Sequence, residues 1–231
     1  MSTIWQSLYL LVAKGLPTTI LLTLALLGMG ILLGFPIAFL QVYGYRPIRW
    51  FCRGYEQVFR GIPALVLILL FHSGLSRSFG ILLPPFVSGL IALGLRSSAY
   101  QSQIFRGAIQ SVSEGQMLAA RSVGMSKLQA VWRIVLPQAF RLSIPPWTNE
   151  YSSVLKDTSL VSAIGVLELL KQTTLIFTRV QFIHGSRWIL VILILAALIY
   201  WVLTYFGNAG LGFLENRMRI PGFEVKGQVE R

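Results

Sequence analysis

Arg96 sits in a mostly apolar run, Pro84 to Phe105, long enough to be read as a membrane span. An unpaired guanidinium in lipid costs at least about 2.5–3.5 kcal/mol, so it must face protein and find a partner. Two acidic residues, Glu150 and Asp157, lie in a later stretch with Asn149, Ser152, Ser153, Lys156, Thr158 and Ser159. A planar guanidinium can hold a carboxylate through two parallel hydrogen bonds. That carboxylate can be internal, from Glu150 or Asp157, or can belong to a solute, and the residues leave both readings open. Lys156 beside Asp157 also reads as a local pair near a helix break. Other chemistries lack their parts. The single Cys52 excludes an intrachain disulfide framework and a multi-cysteine zinc site. His72 and His184 stand alone and far apart, and neither suggests a metal site. No paired acid and base and no activated nucleophile is visible.

The elements that position these residues follow from composition. Of 231 residues, 55% are hydrophobic and only 12% charged, with a mean hydropathy of +0.68. Soluble domains carry about 25% charged residues because water must wet their surface. Lipid as outer solvent explains the deficit, and at about 20 apolar residues per crossing the length allows roughly four to six spans. The net charge of +12 invites a nucleic-acid reading. The basic residues, however, flank apolar runs instead of forming one patch, so the chain is read as having no nucleic-acid partner. The lipid bilayer is its first partner.

The first span is Leu16 to Val42, opened by Pro17, with Gly30 and Gly34 spaced for close helix approach or simply as common membrane-helix glycines. Before it, Ile4, Trp5, Leu8, Leu11 and Val12 fall at helical spacing and read as an interfacial helix anchored by Trp5 and Tyr9. There is no basic start and no small-residue cleavage site, so it is not read as a signal peptide. The second span runs from about Val58 to Leu75, the third from Pro84 to Phe105, and the last from Trp188 to about Phe206. Residues 106–141 read as two short helices outside the bilayer. Ser113 with Gln116 and Ser126 with Gln129 match capping boxes, Gly124 supplies a left-handed turn, and Pro137 is expected to stop the second helix. Leu128, Val131, Trp132 and Val135 form one apolar stripe on it.

Charge decides the sides. The segments 43–60 and 106–141 are both basic and two spans apart, which places both in the cytoplasm, and the basic tail after Gly212 should join them. The polar stretch 142–170 must then cross the membrane, facing protein or a water-filled path. The expectation is an all-α membrane protein of about five transmembrane helices, a single domain over 1–231 with its core at 16–213. The N-terminus is outside and the C-terminus inside, and the loop 106–141 lies between spans three and four. Lys171, Arg179 and Arg187 fall in the external loop and run against this sidedness without reversing it.

Residues 116–137, QMLAARSVGMSKLQAVWRIVLP, resemble the cytoplasmic E-A-A…G loop of permease subunits of prokaryotic binding-protein-dependent ATP-binding-cassette importers. FRGIP at 59–63, AYQSQIFRGAIQSV at 99–112, LPQAFR at 136–141 and LKDTSLVS at 155–162 narrow the resemblance to the polar amino acid permease family. The resemblance runs from Leu16 to Phe213. Leu118 stands at the motif's glutamate, and Gln103 where an acidic residue is expected.

The resemblance implies a prokaryotic inner-membrane location and a loop that seats in a cleft of an ATPase subunit, through Gln116, Ala119, Ala120, Gly124, Ser126 and Trp132. It implies two permease subunits, identical or paralogous, two ATPase subunits and an extracytoplasmic amino-acid-binding protein. The chain has no G-x-x-x-x-G-K-[ST], so no cofactor is expected on it, and ATP-Mg and its hydrolysis belong to the partner. The candidate substrate path comprises Arg96, Tyr100, Asn149, Glu150, Lys156 and Asp157, with Arg96 either on the α-carboxylate of an amino acid or on Glu150 or Asp157, and the acids open to an α-ammonium or a basic side chain. An ion-coupled amino acid carrier is the second reading, but five spans without an internal repeat run against it.

Overall fold

The computed structural model describes Trp5, residues 8–184 and residues 187–218. The regular elements are all helices. They are α1 (Leu8–Tyr43), α2 (Arg46–Gly61), α3 (Ala64–Phe79), α4 (Pro85–Ser111), α5 (Glu114–Ser122), α6 (Lys127–Ile164), α7 (Leu169–His184) and α8 (Arg187–Met218). By length and composition α1 and α8 can each cross a membrane alone. The pairs α2–α3, bent by 101°, and α6–α7, bent by 52°, reach that length and apolarity only when each pair is taken together, as a broken span or a re-entrant segment.

α1 and α4 form the spine, and glycine permits it. A Cβ at Gly30 would lie 1.9 Å from Gln101 Nε2, and one at Gly34 would lie 2.7 Å from the Ser98 carbonyl oxygen. The two glycines thus serve close approach, and the facing residues are the small or amide-bearing Ser97, Ser98, Gln101 and Ser102, all buried. Leu22, Leu26, Leu67, Ile68, Leu93, Val154 and Val161 fill the main apolar core between α1, α3, α4 and α6.

Several expectations are corrected in detail. From Leu8 the N-terminal segment is not a separate helix but continuous with α1, and Leu11 is fully buried beside Leu169. The segment 43–60 is mostly helix. α2 is amphipathic, and the turn at Ile62–Pro63 ends it, because proline holds its predecessor extended. Pro137 does not stop a helix. A wider turn over Val131–Val135 absorbs its missing N–H and its ring, and α6 continues to Ile164. The apolar stripe divides: Val131 and Val135 are buried against Ala108, Ile109 and Val112, while Leu128 and Trp132 are exposed. α8 extends past Phe206 and Gly212 to Met218, and the tail beyond, residues 219–231, lies outside the described residues.

Candidate functional site

Between the middle of α4 and the second half of α6 lies a cavity of about 330 Å³ lined by Arg96, Tyr100, Glu150, Ser153, Lys156 and Asp157. Five of the six expected path residues meet there. Asn149 is exposed and does not line it. Arg96 is paired with Asp157 through Nη1 and Oδ2, and its guanidinium lies 4.8 Å from the centre of the Tyr100 ring. Glu150 accepts from Ser97 Oγ at 3.0 Å. A polar ladder continues behind it: Gln101 Nε2 donates to Ser97 Oγ at 3.1 Å, and Trp147 Nε1 donates to Gln101 Oε1 at 2.9 Å. The acid is therefore held in place from both α4 and α6. Part of the polarity of 142–170, which by hydropathy alone reads as a loop, lines this cavity through Glu150, Ser153, Lys156 and Asp157, and α6 carries these residues as helix down to Asp157.

Two participants escape the sequence reading. Ser153 falls one turn from both Glu150 and Asp157 and completes their helix face. Arg60 reads as one more basic loop residue, yet its guanidinium lies 5.0 Å from the Tyr100 ring centre, so that ring carries two cations. Arg60 also reaches a second cluster. Glu56, 5% exposed, accepts from Gln41 Nε2 at 2.9 Å, Arg60 Nη1 at 3.1 Å and Arg106 Nη2 at 3.2 Å. Arg106 Nη1 in turn donates to Gln41 Oε1 at 2.7 Å. The motif FRGIP could have flagged Arg60; the only local signal for Glu56 is its i,i+4 spacing from Arg60, which does not reveal its burial.

The turn between α5 and α6 is built as its residues predict. Gly124 has φ +87°, and Met125 N donates to the Ala120 carbonyl at 3.1 Å, which closes α5. Ser126 and Gln129 form the reciprocal cap, while Ser113 caps α5 through Gly115 N instead of Gln116 N. Gln116, Ala119, Gly124, Ser126 and Trp132 are exposed and Ala120 is buried. Leu118, Val123 and Leu128 are 66%, 75% and 63% exposed, an apolar knob at the tip of the segment. At the opposite end of the molecule, buried Glu168 caps α7 through Leu170 N and Lys171 N, each at 2.7 Å, and accepts from Tyr200 Oη at 2.9 Å. His72 shares a hydrogen bond with Ser88 at 3.2 Å. No cluster of three metal-ligating side chains occurs among the described residues; the side chain of His184 lies outside them.

Long apolar helices around a charged cleft define a membrane protein of the solute-conducting class. Residues 30–220 match the family described as binding-protein-dependent transport system inner membrane component. The chain is 38% identical to the L-cystine transport system permease protein TcyB of Bacillus subtilis, over 92% of this chain and 88% of that protein. It is 34% identical to the arginine ABC transporter permease protein ArtQ of Escherichia coli, over 80% and 85%. A crystal structure of an amino acid ABC transporter with histidines superposes with a TM-score of 0.81 at 35% identity, covering 90% of this chain and 94% of that one. The MetNI methionine ABC transporter shares the fold alone, with a TM-score of 0.75 at 17% identity, over 92% of this chain and 97% of that one. The chain belongs to the family of inner-membrane permease components of binding-protein-dependent transport systems.

Proposed function

We propose that this permease conducts polar amino acids inward, driven by ATP hydrolysed on a separate subunit. The cavity carries the reading. Arg96 on one wall and Glu150, Lys156 and Asp157 on the other line a space of about 330 Å³, two cations and two acids around one cavity, and that mixture of opposite charges suits a zwitterion. Arg96 then exchanges Asp157 for the substrate α-carboxylate, and the freed acid and Glu150 receive the ammonium. The curated relatives named for amino acids support the substrate class. Membership of a binding-protein-dependent family weighs against an ion-coupled carrier.

The assembly proposed is two permeases, two ATPase subunits holding ATP-Mg, and an extracytoplasmic binding protein, with the whole chain as one domain. Its five spans are α1, α3, α4, α6 and α8, with the N-terminus outside. The basic segments 43–60 and 106–141 face the cytoplasm. The exposed Leu118, Val123 and Leu128 fit a largely apolar seat on the ATPase, consistent with leucine in place of the motif's glutamate.

The test is uptake, ATPase rate and thermal stability measured on the same purified Arg96 variants. Arg96→Lys keeps the charge and loses the two-pronged geometry, so transport falls while basal ATP hydrolysis persists. If Arg96 serves only Asp157, the double change Arg96→Gln with Asp157→Asn recovers both stability and uptake. Full uptake by Arg96→Gln with unchanged selectivity would end the carboxylate reading.

A further inference from the structure

We propose that α2 is a docking surface for anionic phospholipid headgroups. α2 turns 101° from α3, so with α3 crossing the bilayer α2 lies close to the membrane plane. Its depth is set by its partners: Gln41 lies two residues before the end of α1, and Arg106 in the last two turns of α4. One face, Cys52 and Glu56, is buried against those helices. The next face carries Ile48, Phe51 and Val58 at i, i+3 and i+10, all exposed and shaped to enter the acyl region. The third face carries Arg46, Arg49 and Arg53 at i, i+3 and i+7, a single row one helix turn apart. Trp50 and Tyr45, each 81% exposed, are aromatics of the kind that settle at headgroup depth.

The charge balance selects the partner. The side chains of Arg46, Arg49 and Arg53 make no hydrogen bond or ion pair with any described residue. The only acid on α2, Glu56, is already engaged by Gln41, Arg60 and Arg106. α2 therefore presents three unneutralised guanidiniums on the side opposite its apolar strip, the arrangement of a helix lying in the interface with its apolar face among acyl chains and its basic face drawn to anionic headgroups. A second copy of the same face would set three arginines against three. The inference does not use the substrate cavity, and lipid preference can be lost while the amino acid reading stands.

The assembled permease–ATPase complex, held in a zwitterionic detergent, is titrated with phosphatidylglycerol or phosphatidylcholine, and bound lipid is counted by native mass spectrometry. Phosphatidylglycerol is expected to be retained preferentially, and the preference should weaken with salt. Each Arg→Gln change should cost about five-fold in that preference, and Arg46→Gln/Arg49→Gln/Arg53→Gln together on the order of a hundred-fold. The matching Arg→Lys triple variant should keep it, which separates lost charge from misfolding. Phe51→Ser should weaken both lipids alike. Equal retention of the two lipids by the native complex overturns the proposal. So does an undiminished preference in the Gln triple variant, or a Phe51→Cys protein that cross-links to a second permease instead of remaining lipid-accessible.

Discussion

Replacing Glu56 with glutamine tests whether the Gln41–Glu56–Arg106 cluster holds α1, α2 and α4 together. The amide keeps the size but removes the negative charge that Arg60 and Arg106 share, and it turns one acceptor into a donor facing donors. Removing one partner of a fully buried pair costs about 3–5 kcal/mol. Here the arginine side chains are 33% and 24% exposed, so water compensates in part, and about 2–3 kcal/mol is the reasonable figure. In a domain of this size that corresponds to roughly 4–12 °C in Tm. The assay is thermal unfolding of the assembled complex in detergent. Glu56→Gln should melt lower by that amount, and Arg106→Gln in the same background should add little, because the pair is already broken. A Glu56→Gln protein melting within about 1 °C of the native one, or full additivity of the two changes, would refute the cluster as a structural tie.

The spine makes a graded prediction: Gly34→Val should sharply lower yield and stability, Gly30→Ala should force Gln101 off Ser97 and Leu27, and Gly28→Ala, with nothing near its Cβ, should be neutral in the same melting assay. Gly124→Val places a β-branched residue at φ +87°, at a cost of roughly 1–2 kcal/mol, so the protein should insert and melt only about 2–8 °C lower while ATPase stimulation by substrate is lost. A single cysteine at Ser126 in a Cys52→Ser background should resist impermeant thiol reagents in intact cells, and labelling from outside would reverse the proposed sidedness.

The long apolar helices are legible from the sequence because lipid-facing length needs only composition, as α1 and α8 show. α6 is legible only through the balance of charged loops, since its polar run from Asn149 to Ser159 mimics a surface segment. Arg96 and its carboxylates stand out because burying charge is costly wherever the fold places it. Glu56 does not, because its pair with Arg60 at i+4 reads as an ordinary surface pair, while the partners that bury it lie 15 and 50 residues away. Glu168 is hidden for the same reason: Tyr200 is 32 residues on, and an acid before a helix reads as an ordinary surface cap. Pro137 misleads in the opposite sense. A local rule about proline gives way to a widened turn that packing on Ala108 and Val112 stabilises.

The interlock at Gly30 and Gly34 has a mechanical consequence. Side chains of α4 are keyed into backbone notches on α1, so neither helix can slide or rotate against the other without collision. The facing helix, α6, contains Pro145 and Pro146, which remove two backbone hydrogen bonds from its middle. One wall of the cavity is therefore stiff and the other compliant. A cavity with one rigid and one yielding wall opens like a door on a fixed jamb, and the jamb here carries Arg96 and Tyr100 while the leaf carries Glu150, Ser153, Lys156 and Asp157.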